Sequence, residues 1–306
     1  MTEKEFLPPN DLKTPVLFLV FNRLDTTIQV FESIRKAKPP RIYIASDGAR
    51  VEVEGEFEKV KEIRDYLISN IDWNCEVKTL FRDKNLGCKY AVSSSIDWFF
   101  HNEEMGIILE DDCLPSQSFF WYCQELLNMY KEDLRIWHIS GAQILNLSQE
   151  KHSYHFSKYP GIWGWATWAN RWKEYDVKLV SYNSIQDLQE FNLKVDTNYW
   201  NKIFKRLKEN KIDTWDFQWV FTVWYNNGLS VTPNVNLIKN IGFDSNATHT
   251  KNSESNLANL ENQNINIIIH PSSIRVDEVN DSILTKQYFS SPSFTLRILN
   301  KLKSLL

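Results

Sequence analysis

The sequence predicts an α/β fold in which a mainly parallel sheet is covered by helices on both faces. Short uninterrupted apolar runs, typical of strands buried on both sides, alternate with longer amphipathic stretches whose apolar residues have helical spacing. Turn and capping residues separate the two kinds of segment. The first strand is predicted over Pro15–Phe21, and the first helix over Thr26–Lys38, with Asp25 as its N-cap. This repeated strand–helix order is the signature of a parallel sheet.

The alternation continues to about residue 140. Further strands are predicted over Arg41–Ala45, Cys75–Phe81, Met105–Leu109 and Ile136–Ser140, and helices over Glu54–Ser69, Lys89–His101 and Ser118–Tyr130. Beyond Gly141 the rhythm changes, and aromatic residues crowd into the segment from Tyr159 to Trp172. Two more helices are expected, near Asn198–Asn210 and Phe217–Asn226.

Polar groups follow four of the predicted strands. They are Asn22-Arg23, Asp47-Gly48, Arg82-Asp83 and Glu110-Asp111-Asp112. Because ligands of such sheets bind outside the carboxyl ends of the strands, we expect these groups to share one ligand-binding edge.

The acidic triplet Glu110-Asp111-Asp112 directly follows a strongly hydrophobic strand. It could simply be a charged loop opening the next helix, where carboxylates interact favourably with the helix N-terminus. However, three adjacent acids repel one another, and a cation would offset this repulsion. Mg²⁺ or Mn²⁺ binds carboxylate and phosphate oxygens together, so these acids and a diphosphate would make a complete site.

The composition excludes several functional classes. A formal net charge of −4 argues against a nucleic-acid binder, since such proteins need basic surfaces. The four cysteines form no CxxC pair, which argues against a zinc site. The polar segment 1–14 does not resemble a signal peptide, and no apolar run reaches the ~20 residues needed to cross a bilayer. From this we expect a cytoplasmic protein.

Several motifs resemble bacterial GT-A glycosyltransferases of the family-2-like group. The matching segments are Val20–Arg23, Ser46–Gly48, Asn85–Gly87, Ile108–Phe120 and Pro160–Trp165. The acidic motif is also similar to that of N-acetylglucosaminyltransferase I of family 13, whose metal motif takes the form Glu-Asp-Asp. The resemblance covers roughly residues 15–250 and implies a GT-A fold. It also implies a nucleoside-diphosphate sugar donor and a Mn²⁺ or Mg²⁺ cofactor.

The resemblance also implies roles for individual residues. Arg23, Asp47, Glu110 and Asp111 would contact the donor, Arg23 at the nucleotide or diphosphate and Asp47 at the base. Asp112 would bind the metal ion, with His249 approaching the metal or diphosphate. Asp216, in the segment Thr214–Phe217, matches the catalytic base. Family 13 inverts the anomeric configuration, so inversion is implied as well.

Each assignment has a structural alternative. Arg23 and Asp25 could merely begin the first helix, and Asp47-Gly48 could be an ordinary tight turn. Asp216 could be only the N-cap of the helix beginning at Phe217, and Asp213 is a competing base. Histidines such as His249 often have structural roles. Trp163 and Trp165 are candidates for acceptor binding, because aromatic faces stack on sugar rings, but part of this tryptophan group is expected in the core.

The sequence divides into four parts on this interpretation. Residues 1–14 form an N-terminal extension, 15–141 the nucleotide-sugar-binding half, 142–275 the acceptor-binding and catalytic half of the same domain, and 276–306 a C-terminal tail. The tail carries an amphipathic helix over 293–306 that either packs on the domain or contacts the inner membrane face.

The predicted function is metal-dependent transfer of a hexosyl or N-acetylhexosaminyl group to a hydroxyl of a glycan or lipid-linked glycan, in polysaccharide biosynthesis. One alternative is a non-catalytic carbohydrate-binding or degenerate transferase domain. Another is a sugar nucleotidyltransferase, although the expected glycine-rich loop is missing from the residues after the first strand, Phe21-Asn22-Arg23-Leu24.

Overall fold

The structure of this chain is a computed structural model that describes residues 6–145, 151–184, 186, 188, 195–243 and 256–290. The first part alternates strands and helices. It consists of β1 (Val16–Val20), α1 (Leu24–Ala37), β2 (Arg41–Ser46), α2 (Glu56–Ser69), β3 (Glu76–Phe81), α3 (Gly87–Asn102), β4 (Met105–Glu110), β5 (Cys113–Pro115), α4 (Gln117–Met129) and β6 (Ile136–Ser140).

The second part has shorter strands and an aromatic helical region. Its elements are β7 (Tyr154–Ser157), β8 (Trp165–Trp168), α5 (Ala169–Trp172), α6 (Thr197–Lys208), α7 (Asp216–Tyr225), β9 (Leu229–Pro233), β10 (Ile238–Asn240), a 3₁₀ turn (Asn256–Asn259) and α8 (Glu278–Tyr288).

One central sheet contains strands from both parts, in the order β3-β2-β1-β4-β8-β6-β9-β7. Strands β1 to β4, β6 and β9 run in one direction, whereas β8 and β7 run against them. A separate antiparallel ribbon pairs β10 with β5. The predicted fold class, a mainly parallel α/β sheet flanked by helices with a further C-terminal part, is confirmed.

Alternate residues of β1 pack into hydrophobic clusters on opposite faces of the sheet. Phe18 packs in a cluster with residues of α1, α2 and α4, whereas Leu19 packs in one with residues of α3, α5 and α7. Because side chains alternate along a strand, a fully apolar strand must be covered on both sides. A third cluster joins α6, α7 and α8 around Trp200 and Trp224.

Two helix starts differ from prediction. The N-cap of α1 is Arg23, and Asp25 lies in the first turn. The prediction that Asp25 is the cap is therefore wrong, and its carboxylate acts through the favourable field at the helix N-terminus. Helix α7 begins at Asp216 itself, with Trp215 in the capping position. Within the described part of the chain, no helix has the length and hydrophobicity required to cross a membrane.

Candidate active site

A cavity of about 880 Å³ lies at the carboxyl ends of β1, β2 and β4. Its wall includes six carboxylates and two guanidinium groups: Asp47, Glu110, Asp111, Asp112, Asp213, Asp216, Arg23 and Arg50. The first four acids lie at or just after the ends of β2 and β4, whereas Asp213 precedes α7 and Asp216 is its first residue. The topology therefore brings both parts of the sequence to a single acidic cavity, at the edge where parallel sheets bind ligands.

The acidic triplet is organised around Arg23. The guanidinium Nη2 donates to Asp111 Oδ1 and, over 3.0 Å, to Asp112 Oδ2. The side chain of Asp111 is 6% exposed and that of Asp112 17%. Arg23 thus cross-links the two aspartates. It reaches them because it lies in the short connection between β1 and α1, and β1 pairs with β4, the strand that leads into the triplet.

Within the triplet, Glu110 has the environment that most disfavours the ionised carboxylate. Burial raises its pKa well above the usual carboxyl value, and the charges of Asp112, Asp111 and Asp216 raise it further. Burial also raises the pKa of Asp111, to about 6, although the charge of Arg23 opposes this. One guanidinium therefore does not compensate the negative charge gathered at the end of β4, and a cationic ligand would be stabilised there.

These residues fit a divalent cation that shares its ligands with a substrate. Asp111 Oδ2 is buried and finds no hydrogen-bond partner among the described residues, so it remains available to a bound substrate or cation. Within the described ranges, no three His, Cys, Asp or Glu side chains form a metal-binding group by themselves. Oxygen atoms of a diphosphate would have to complete the coordination, as Mg²⁺ commonly requires.

Asp47 fastens the turn before α3. Its carboxylate accepts hydrogen bonds from the backbone N–H groups of Gly48 (2.9 Å), Leu86 (3.0 Å) and Gly87 (3.2 Å). Burial raises its pKa. The residue lies in the cavity wall, and it also has a structural role in a turn, as its alternative interpretation proposed.

Asp216 is the first residue of α7 and is half-buried in the cavity wall. Thr214 Oγ1 donates to its Oδ1 over 2.5 Å. A carboxylate in the first turn of a helix interacts favourably with the helix N-terminus, and a carboxylate can serve as a general base. The competing acid Asp213 instead accepts two backbone hydrogen bonds from α3, through Oδ2 from Cys88 N and through Oδ1 from Lys89 N.

The two candidate acceptor-binding tryptophans differ in exposure. Trp163 is half-buried, lines the cavity and makes an edge contact with Phe243. Trp165 is fully buried, and its ring stacks on His138 at 5.0 Å and on Trp215 at 5.5 Å. The prediction that Trp165 contacts the acceptor therefore does not fit the structure, because protein rings cover it.

Other predicted features lie elsewhere. Arg82 and Asp83 follow β3 at the carboxyl edge of the sheet, as expected, and Arg82 N donates to Ser46 O over 3.0 Å. They line a second cavity, between α2 and β3, and not the acidic one, and the guanidinium of Arg82 bonds to Ser94 and Ser95 on α3. His249 and the C-terminal segment 293–306 lie outside the described residues.

Several cavity residues were not predicted. Arg50 is fixed by Glu56, which is buried, and its guanidinium lies 5.5 Å from the centre of the Phe21 ring. Asn240 comes from β10, whose pairing with β5 brings it beside the triplet. Arg50 could have been predicted from its position just after Asp47-Gly48. The position of Asn240 could not, because it depends on the pairing of β10 with the distant strand β5.

No protein-family model matches the sequence, and no curated protein matches it. Solved structures with a partly similar fold include the mannosyltransferase PcManGT from Pyrobaculum calidifontis, determined in complex with GDP-Man and Mn²⁺. It is 8% identical, with a TM-score of 0.38, and the match covers 74% of this chain and 73% of that one.

A second similar structure is TarS from S. aureus, at 8% identity and a TM-score of 0.38, with 72% of this chain and 58% of that one covered. A third is a UDP-glucose pyrophosphorylase complexed with UDP-glucose, at 10% identity and a TM-score of 0.34, with 72% of this chain and 90% of that one covered.

Proposed function

We propose that this chain is a glycosyltransferase that transfers a sugar from a nucleoside-diphosphate donor to a hydroxyl of a glycan or lipid-linked glycan. The observation that carries the proposal is the convergence of the triplet Glu110-Asp111-Asp112 with Arg23 and Asp216 in one cavity. A diphosphate leaving group needs positive charge on one side of the reacting carbon. The acceptor hydroxyl needs a base on the other side.

In this proposal the donor half of the cavity binds the nucleotide sugar. Arg23 contacts the diphosphate, Asp47 the base, and Glu110 and Asp111 the ribose or sugar. Asp112 is a ligand of Mn²⁺ or Mg²⁺, with His249 as a further candidate. A divalent cation, when bound, would offset the charge that develops on the departing diphosphate.

The acceptor half would supply the proton chemistry. Asp216 accepts the proton of the attacking hydroxyl, and the hydrogen bond from Thr214 orients its carboxylate. Trp163, which is half-buried in the cavity wall, offers an aromatic ring for a sugar ring of the acceptor. Attack on the face opposite the leaving group would invert the anomeric configuration. By family resemblance, we propose a hexosyl- or N-acetylhexosaminyltransferase of surface-polysaccharide assembly, acting in the cytoplasm or at the inner membrane face.

A sugar nucleotidyltransferase is the second candidate, because it too would use acids and a metal ion. It is less well supported, since the loop after β1 lacks the glycines that let a backbone wrap a triphosphate. A non-catalytic carbohydrate-binding domain would have no need for the desolvated acids of this cavity.

A donor screen tests the proposal. Purified protein is incubated with UDP- and GDP-linked hexoses and N-acetylhexosamines, with MnCl₂ or EDTA, and release of nucleoside diphosphate is measured. We expect release from one donor class with MnCl₂ and its loss with EDTA. Asp216→Asn should retain donor-induced thermal stabilisation while transfer falls about 10²- to 10⁴-fold, because only the base is removed.

Two further variants complete the design. Asp112→Ala should lose metal-dependent donor binding, whereas Asp72→Asn, which breaks only an exposed ion pair with Arg35, should behave like the wild type. Release of pyrophosphate from a nucleoside triphosphate and a sugar phosphate would favour the nucleotidyltransferase. No turnover of any donor would defeat the transferase proposal.

A further inference from the structure

The N-terminus of α3 is capped from a distant part of the chain. The first backbone N–H groups of a helix lack partners within the helix. Here Cys88 N donates to Asp213 Oδ2 over 2.9 Å and Lys89 N to Asp213 Oδ1 over 3.0 Å, although Asp213 is 125 residues from Cys88. Each carboxylate oxygen of Asp213 therefore accepts a backbone hydrogen bond. This capping role accounts for an aspartate at position 213 without any role in proton transfer.

The same turn is fastened from its other side by Asp47, which accepts hydrogen bonds from Leu86 N and Gly87 N. Gly87 has a φ of +75°, and a Cβ atom at this position would lie 2.7 Å from Asp213 Oδ2. Glycine is required here both for the left-handed backbone and for the close approach of the carboxylate. The turn before α3 thus joins the nucleotide end of the cavity to the segment that begins at Asp213.

The segment from Asp213 to Asp216 is itself well ordered by contacts. Thr214 Oγ1 donates to Asp216 Oδ1, the backbone carbonyl of Thr214 accepts from Gln218 Nε2 over 2.7 Å, and that of Trp215 accepts from Tyr175 OH over 2.9 Å. Trp215 is 1% exposed and stacks on Trp165. Because these contacts hold the residues between them in place, a shift of the backbone at Asp213 would also move Asp216.

We propose that Asp213 is a positioning residue for the base Asp216. Its carboxylate, although solvent-exposed, fastens the start of α7 to the N-terminus of α3, and so sets where Asp216 stands relative to the donor bound beside Asp47. This inference rests on the proposed function, in which Asp216 takes the proton of the acceptor.

Asp213→Ala tests this role. We expect kcat for transfer to fall about 10- to 100-fold, because small displacements of a catalytic group are costly, while the KM for the donor stays within about twofold. The matched control is Asp277→Ala, which removes the carboxylate N-cap of α8, where Asp277 accepts from Asn280 N over 3.0 Å. The control should lower the Tm comparably and leave kcat unchanged.

Hydrogen exchange gives a readout that does not depend on turnover. In Asp213→Ala, we expect faster exchange both in residues 85–90 and in residues 214–218, whereas Asp277→Ala should affect neither. Faster exchange in residues 85–90 alone would overturn the positioning role, as would an unchanged kcat or a loss confined to donor KM. If the wild type used no donor, the proposed function would fail, and the exchange of residues 214–218 would still decide whether Asp213 fixes this segment.

Discussion

At the residue scale, Arg23 is the side chain whose surroundings say most about the cavity. It is 23% exposed, yet it bonds to both Asp111 and Asp112. Its position in the sequence, two residues after an apolar run, predicted only that it lies at the sheet edge. The structure adds that its guanidinium compensates part of the negative charge of the triplet.

Arg23→Gln should lower the free energy of unfolding by about 3 kcal/mol, because it leaves two largely buried carboxylates without their partner. Added MnCl₂ should then raise the Tm of the variant more than that of the wild type, since the ion replaces the lost charge. Thermal unfolding with and without MnCl₂ measures both effects.

The control for this experiment is Arg35→Gln. Arg35 also pairs with two acids, Glu32 and Asp72, but all three side chains are well exposed. We expect a small change in stability and an unaltered response to MnCl₂. An equal or smaller MnCl₂ response in Arg23→Gln than in the wild type would show that the ion does not replace the charge of Arg23 beside Asp111 and Asp112.

At the element scale, the ribbon formed by β5 and β10 shapes one wall of the cavity. Asn240 pairs with Cys113, and Ile241 N donates to Asp112 O over 2.8 Å. At Gly242 an added Cβ would lie 2.3 Å from Asp112 Oδ2 and 2.8 Å from Arg23 Nη1. The ribbon therefore packs so closely on the acidic group that only a hydrogen atom fits at residue 242.

Gly242→Ala should displace Asp112 or Arg23 and weaken the affinity for Mn²⁺ about tenfold, as loss of an orienting contact around a metal typically does. Titration calorimetry with MnCl₂ in the presence of a nucleoside diphosphate would measure it.

Gly228→Ala is the control for this glycine, because its Cβ would meet the Trp137 ring at 2.6 Å, away from the cavity. It should cost about 1–3 kcal/mol of stability through overpacking and leave Mn²⁺ affinity unchanged. Equal affinities in both variants and the wild type would mean that residue 242 does not shape the cation site.

The elements themselves were predicted unevenly. The alternation of apolar and amphipathic segments located β1 to β4, α1 to α4 and β6 within a few residues, because each has a strong local pattern. Strands β5, β7, β8, β9 and β10 were missed. They have three to five residues each, and Trp165–Trp168 is a strand only because β4 and β6 lie beside it.

At the scale of the whole molecule, His138 links the sheet to the aromatic region. It lies on β6 with no exposed surface, its Nε2 hydrogen-bonds to the carbonyl of Gly161 over 2.9 Å, and its Nδ1 accepts from Trp219 Nε1 over 3.1 Å. These partners require a neutral ring with its proton on Nε2. Burial lowers the pKa of His138 from 6.5 to about 3.

This shift predicts a pH dependence of stability. Between pH 6.5 and about 3 the unfolded chain binds a proton at His138 and the folded protein does not, so its contribution to stability is full above pH 6.5 and falls as the pH decreases. The loss should approach about 1.4 kcal/mol per pH unit within that window. Urea unfolding of the wild type and of His138→Gln at pH 7 and pH 5 measures it.

Other groups titrate in the opposite sense. Burial raises the pKa values of Asp47, Glu110 and Asp111, so these carboxyl groups favour the folded state as the pH decreases. Comparison of the wild type with His138→Gln isolates the contribution of His138. The wild type should lose more stability than His138→Gln over this range. Parallel changes in the two proteins would show that His138 does not titrate differently on unfolding.

The sequence by itself determined the sheet class, the polar edge and the identity of most donor-side candidates, because strand ends and apolar runs are local patterns. Arg23, Asp47 and the triplet Glu110-Asp111-Asp112 could be found in this way. Tertiary structure decided that Asp213 caps α3, that Trp165 is buried, and that Asp216 lines the same cavity as the triplet. These facts depend on contacts between residues that are far apart in the chain. The local sequence around each residue does not indicate which distant residue it contacts.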